Sequence, residues 1–253
     1  MLWKKTLRGA EQYQQGSMKI PRSTQEMIPV KRILNDGTFV LDSGEYSKMF
    51  AFTDINYTEL RDEEKMRRLV DYSALLNSID KGIYAKISIF FRPIRQEQFE
   101  RDVLIPMNPE DELDDYRENM NTVLREQVRG TLGMTKQAYL TITAGRRNDE
   151  DAAAFFARVD GNLIGSFQAL GVELRAVPLS ERLRLLHDIY RPGLEETFRF
   201  DAHAEKKLGM NWKDSIAPLS AEALNSCTYL KIGGRCCKTL FLNAYPIYLN
   251  DRI

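Results

Sequence analysis

The chain has 253 residues, of which 43% are apolar and 28% charged, with 36 basic residues set against 36 acidic ones. That composition is ordinary for a globular protein with a real core, which excludes a wholly disordered chain, and zero net charge gives no global pull toward nucleic acid or anionic lipid. Three cysteines, Cys227, Cys236 and Cys237, cannot form a disulfide framework and predict a reducing compartment.

Residues 1–27 are polar and irregular, with Gln14, Gln15, Gly16 and Pro21, and predict a flexible N-terminal arm. The opening MLWKKTLRGA has basic residues but no apolar stretch after them, so no signal peptide is expected. The first regular unit is TFVLDSGEYSKMFAFTDI. Two β-rich runs flank Asp42–Glu45, and Gly44 supplies the positive φ of a short hairpin loop. A helix is expected next, capped by Asn56 and Glu59 and stapled by Ile55 and Leu60. Its apolar stripe is Met66, Leu69, Val70, Ser73 and Leu76, and Gly82 stops it. IYAKISIFF then alternates, with Ile83, Ala85, Ile87, Ile89 and Phe91 on one face of a half-buried strand.

A second cycle follows. Asn108-Pro109 predicts a helix start, with Leu113, Tyr116, Met120, Val123 and Leu124 as the inward stripe and Gly130 and Gly133 as stops. QAYLTITA reads as a strand burying Ala138, Leu140, Ile142 and Ala144. A long helix from about Asp149 to Leu170 carries Phe155, Phe156, Val159, Leu163 and Phe167, with Gly171 as its C-cap signal. VELRAV reads as a strand ending at Pro178. ERLRLLHDIY reads as a helix capped by Ser180 and ended by Arg191-Pro192-Gly193. Beyond residue 195 the pattern weakens to a short helix near Asp214 and a β pair, CTYLKI and KTLFLNAYPIYL, joined by Gly233-Gly234.

This order predicts an α+β protein: a mainly antiparallel sheet with helices packed on one face, on a ferredoxin-like plan used once or twice. A doubly wound parallel sheet is the alternative, but its central strands would be apolar on both faces, and these alternate. The expected divisions are the arm at 1–27, a main α+β domain at 28–195, and a smaller β-containing subdomain at 196–253.

Few constellations carry chemistry. IGGRCCKTLF has glycines before Lys238-Thr239, but a phosphate-binding loop needs glycine directly before the lysine and another five residues earlier; Cys237 and Ile232 occupy those places. A β-hairpin with a glycine turn is the expected structure, with Cys236 and Cys237 buried on its strand. His187 and His203 are the only histidines, and no His or Cys spacing suits a metal. His187, Asp188 and Ser180 do not make a nucleophilic triad, since near-consecutive helical residues do not converge. The acidic run from Glu110 to Asp115 favours a helix N-terminus, and Arg146-Arg147 reads as a solvated loop. No catalytic, cofactor-binding or metal-ligating residue is therefore assigned, and no cofactor is expected.

Several segments together resemble the N-terminal domain of the VirB-type conjugal transfer ATPases of Gram-positive bacteria. They are LNDGTFVLDSGEYSKMFAFTDINY, LLNSID, KISIFF, GVELRAVPLSERLRLLHDIYRPG, DSIAPLS and YLKIGGRCCKTLFLNAYPIYLNDRI, in matching order from about residue 28 to the end. The resemblance implies a motor domain with Walker motifs beyond Ile253, and no catalytic residue carries over. It implies docking to inner-membrane subunits of a type IV secretion channel, contact with other motor ATPases, and self-association in a ring. It also implies a cytoplasmic protein held at the inner face of the membrane through partners. The apolar runs, such as ISIFF, are too short for a span, and no basic-aromatic stretch favours nucleic acid as a partner. Docking is expected at the hairpin edge near residues 38–54 or at the arm. The other classes to weigh are a small enzyme with a site near His187 and Asp188, and a module that binds single-stranded nucleic acid.

Overall fold

A computed structural model describes residues 21–53, 60–93, 99–101, 103–108, 110–130, 134–201, 211–224 and 229–242. The chain divides into two units, residues 30–182 and residues 1–29 with 183–253. The capping residues expected at 55–59, the arm up to residue 20, Pro109, Gly133, His203, Cys227 and the chain from residue 243 lie outside the described residues.

The first unit is an α+β fold on a six-stranded, antiparallel sheet. Strands β1 (Val30–Ile33), β2 (Phe39–Leu41) and β3 (Glu45–Phe52) form a meander. Gly44, at φ 85°, makes the tight return between β2 and β3, its N–H bonded to the Leu41 carbonyl at 2.9 Å. Then come α1 (Asp62–Asn77), β4 (Ile83–Pro93), α2 (Asp114–Gly130), β5 (Met134–Gly145), α3 (Asp149–Ala169) and β6 (Leu174–Ala176). In space β3 lies between β5 and β6, and β4 lies beyond β5. With α2 set aside, the sequence β3-α1-β4-β5-α3-β6 in the order β6-β3-β5-β4 is the ferredoxin-like plan. It occurs once among the described residues, not twice, with the β1–β2 hairpin added beside β3 and α2 inserted at the end of the β4–β5 ribbon.

The core lies between the sheet and α3. Tyr46, Phe50, Leu140, Ile142 and Ala144 from the strands meet Phe155, Phe156, Leu163 and Phe167 from the helix. Both ends of α3 are fixed locally. The Asn148 side chain accepts from the Asp151 N–H at 2.8 Å, an N-cap. At the other end the Val172 N–H reaches the Phe167 carbonyl and the Gly171 N–H the Gln168 carbonyl, with Gly171 at φ 70°. This is a Schellman motif closed by the buried pair Phe167 and Val172. Outside α3, Arg32 grips Asp149 bidentately at 2.7 Å, and Tyr46 donates its hydroxyl to the same carboxylate. Arg32 first, and Tyr46 next, hold the Asp149 pKa down at about 2.

Two helices turn the opposite way from the expected one. On α1 only Leu75 is buried, while Met66 is 61% exposed, Leu69 54% and Val70 63%. The side facing the fold carries Arg68, whose guanidinium donates to the Ala169 carbonyl, and Leu75. On α2, Tyr116, Met120 and Val123 are likewise exposed, as is Leu113 just before it. The helix starts at Asp114 and not at Asn108 because residues 108–113 are tied into a knot of their own. Arg117 binds Asp111 with both nitrogens and Asp114 with one, and the Asn108 N–H donates to Asp114. β4 also departs from expectation: Ile87, Ile89 and Phe91 share a face but lie mostly in solvent, because the strand is the sheet's edge.

The division between units falls within α4 (Leu179–Tyr190), between Arg182 and Leu183, so no loop marks it. Ser180 sits inside the first turn of α4 and does not cap it; the Pro178 carbonyl accepts the Arg182 N–H there. The second unit contains the three-stranded antiparallel sheet of β7 (Ala221–Leu224), β8 (Tyr229–Ile232) and β9 (Arg235–Cys237). The expected strand from Lys238 onward is not formed over residues 238–242, and β9 ends at Cys237. Arg191 stitches this unit through the carbonyls of Ala217 at 2.8 Å and Asp214 at 2.5 Å. Among the described residues no helix is long and apolar enough to cross a membrane.

Candidate functional site

The chemically suggestive groups among the described residues are placed as follows. Gly233 (φ 56°) and Gly234 form the turn between β8 and β9, with Ile232 opposite Arg235. Lys238 lies after that hairpin with its ammonium 5.3 Å from the centre of the Tyr229 ring. Cys236 and Cys237 do sit on a strand, but Cys236 is exposed and Cys237 half-buried, contrary to the buried positions expected, because β9 is the edge of a small sheet. Arg146 is more than a solvated loop residue: its guanidinium lies 3.6 Å from the centre of the Phe155 ring.

His187 is fully buried. Its Nδ1 is 3.4 Å from Asp188 and its Nε2 3.4 Å from the Thr197 hydroxyl, and its ring meets Phe198 edge-on. Burial pushes the imidazole pKa down, against the opposing pull of Asp188. An unfolded chain takes up this proton near pH 6.5, where the folded chain does not. The stability contributed by His187 is therefore complete above pH ~6.5 and lost as pH falls below it. His187→Gln is expected to flatten this acid-side slope in unfolding midpoints measured from pH 7.5 to 5; an unchanged slope would refute it. The cavity nearest along the chain, about 400 Å³ and lined by Tyr190, Gly193, Leu219 and Arg235 among others, includes neither His187 nor Asp188.

The first unit holds an open pocket of about 570 Å³ at the β3–β5–β6 end of the sheet. Two of its polar side chains are engaged in pairs. Arg175 is bound bidentately to Glu181 at 2.8 Å, and the Tyr139 hydroxyl donates to Gln137 at 3.0 Å. Among the described residues no group of His, Cys, Asp and Glu is arranged to hold a metal ion.

What remains unpartnered is apolar surface. α2 is pinned on one side by Asn121, which is 2% exposed and exchanges hydrogen bonds with both the N–H and the carbonyl of Ile105, at 2.8 and 2.9 Å. Arg117, clamped to Asp111 and Asp114, fixes its first turn, and holds the Asp111 pKa down at about 2. The stripe Leu113, Tyr116, Met120 and Val123, spaced 3, 4 and 3 residues apart, is presented to solvent, with Tyr116 73% exposed. Tyr116, Met120 and Val123, with Leu113 just before the helix, thus form an exposed apolar stripe on one side of α2. The spacing was read correctly from the sequence; its orientation was not. The docking edge expected at residues 38–54 is not available, because β3 is paired on both sides. The expected docking arm falls mostly among the residues not described.

No family model matches the chain, and comparison with curated proteins finds no match either.

Proposed function

We propose that this chain is a non-catalytic docking and assembly module of a conjugative type IV secretion motor, binding channel subunits at the cytoplasmic face of the membrane. The observation that supports it is the outward apolar stripe of α2, carried on an insertion at the end of a long β ribbon and braced by Asn121 and Arg117. A helix braced on one face and apolar on the other suits capture by a groove on another protein. The similarity of the segments from LNDGTF to YLNDRI to the conjugal transfer ATPases supplies the partner class. Self-association and contact with a motor ATPase belong to the same reading.

The test is co-purification of the chain with membrane-anchored channel subunits. Tyr116→Glu with Met120→Glu is expected to abolish capture. The same pair should leave the unfolding midpoint nearly unchanged, because exposed positions contribute within about 0.5 kcal/mol. Undiminished capture by the double variant would reject α2 as the docking element. ATP hydrolysis by the purified chain that disappears in Lys238→Ala would reject the non-catalytic reading altogether.

A further inference from the structure

A second apolar surface lies at the sheet's edge. β4 is paired with β5 through eleven consecutive residues without a bulge, and among the described residues it has no strand on its other side. Proteins normally blunt such an edge with a short strand, a bulge or inward-pointing charges. β4 uses neither of the first two. On its helix-side face it shows Ile87, Ile89 and Phe91, at 44%, 53% and 65% exposure. Beside it an open groove of about 240 Å³ runs between Ile87 and Leu140 on the sheet and Tyr72, Leu75 and Leu76 on α1. Leu69, at helical spacing from Tyr72 and Leu76, extends this apolar surface.

We infer that β4 is the seam of a homodimer: a second copy lays its own β4 antiparallel against it, about a two-fold axis at Ser88. The β4 sequence carries the argument for a like partner. Ser88 is the midpoint of Ile83–Pro93, so this axis pairs the whole strand. It sets Ile87 against Ile89 twice, the small Ala85 against the large Phe91 twice, and Lys86 against the Phe90 ring twice, with no like charges opposed. An axis one residue later, at Ile89, sets Lys86 against Arg92. An axis one residue earlier, at Ile87, removes two residues from the pairing. Antiparallel pairing about a two-fold is also the isologous geometry that closes on itself, as most homo-oligomers do.

The area agrees. Six large side chains on the seam side (Leu69, Tyr72, Leu76, Ile87, Ile89 and Phe91) are each 39–65% exposed. At roughly 100 Å² apiece they offer on the order of 600 Å² per copy, before the backbone edge of β4 is counted. That is the upper end of the largest apolar patch on an ordinary monomer and, with the strand backbone added, approaches one partner's share of a standard interface. The two apolar strips meet at the seam, and each α1 flanks it.

Sedimentation equilibrium of the full chain tests this. The expected mass is twice that of the chain at micromolar concentration. Ile89→Lys, an exposed-site change that spares the fold, should weaken the dimer by roughly a hundredfold or more, since it places a charge from each copy in the seam. Ser88→Cys, with the native cysteines changed to serine, should form a symmetric disulfide under mild oxidation, because residues on the axis approach within bridging distance. A monomer at tens of micromolar, or a dimer whose affinity is indifferent to Ile89→Lys while Ser88→Cys stays reduced, overturns the proposal. The inference rests on the self-association in the proposed function but is separable from channel docking: Tyr116→Glu with Met120→Glu should leave the dimer mass intact.

Discussion

Replacing Arg182 by methionine is expected to lower the stability of the chain by about 2–4 kcal/mol, read from urea unfolding. Arg182 is 4% exposed and sits on the face of β3 opposite the main core. One guanidinium nitrogen donates to the carbonyls of Gly37 at 2.9 Å and Ser47 at 2.5 Å, and the other to the Ser47 hydroxyl at 2.7 Å. The group lies 3.8 Å from the centre of the Phe39 ring. Two effects oppose each other. Burial disfavours the cation and pulls its pKa down to about 9, with Asp36 pulling the other way. Three charge-assisted hydrogen bonds favour it, each worth more than a neutral bond. A pKa of 9 still leaves the group charged at neutral pH, so the bonds prevail. Methionine keeps most of the apolar stem and removes the donors, leaving two carbonyls and a buried hydroxyl without them. Arg182→Lys should fall between, since an ammonium cannot span Gly37 and Ser47 while lying flat on Phe39. A midpoint unchanged in Arg182→Met would show that the buried cation contributes nothing net.

Arg182 also marks where the sequence stops being informative. It stands in ERLRLLHDIY as one charge among several, and nothing local tells it from Arg184 or Arg191. Burial there is decided by Gly37 and Ser47, which lie 145 and 135 residues away. Signals that act within a few residues were legible. Gly171 and the aromatic stripe of α3 gave that helix its C-terminal end and its buried face, and Gly44 gave the hairpin. The alternation of the strands gave the antiparallel sheet, and the order of elements gave the ferredoxin-like plan.

Direction was not legible. A period of 3.6 shows that a helix has an apolar face, not that the face looks inward. In α1 and α2 the apolar faces look outward, and Arg68 and Asn121 supply the inward contacts by hydrogen-bonding to backbone. The same inversion leaves exposed the α2 stripe proposed above for a partner. The Asp111–Arg117 knot is an intermediate case. Its residues are adjacent in sequence, yet their side chains compete with the helix they were expected to start.

Gly37→Ala and Gly44→Ala form a matched pair that separates backbone strain from steric conflict. Both glycines have positive φ, 84° and 85°. Around Gly44 an added Cβ meets nothing within 4 Å, so alanine there pays only for the left-handed conformation, about 1 kcal/mol. At Gly37 the same atom would lie 2.7 Å from the Val177 carbonyl oxygen and 3.2 Å from the Leu179 nitrogen, both backbone. That backbone has little freedom to retreat, because the Val177 N–H is bonded to the Met49 carbonyl at 2.9 Å and the Val177 side chain is 1% exposed. Movement of residue 37 would also draw its carbonyl away from Arg182. Gly37→Ala is therefore expected to cost about 3 kcal/mol or more, the strain plus the displaced hydrogen bonds. Because the two residues share a bond, Gly37→Ala combined with Arg182→Met should cost less than the sum of the two changes, a coupling absent from Gly44→Ala with Arg182→Met. Equal losses at the two glycines, or additive losses at 37 and 182, would place the origin of the effect in the unfolded chain and not in this contact.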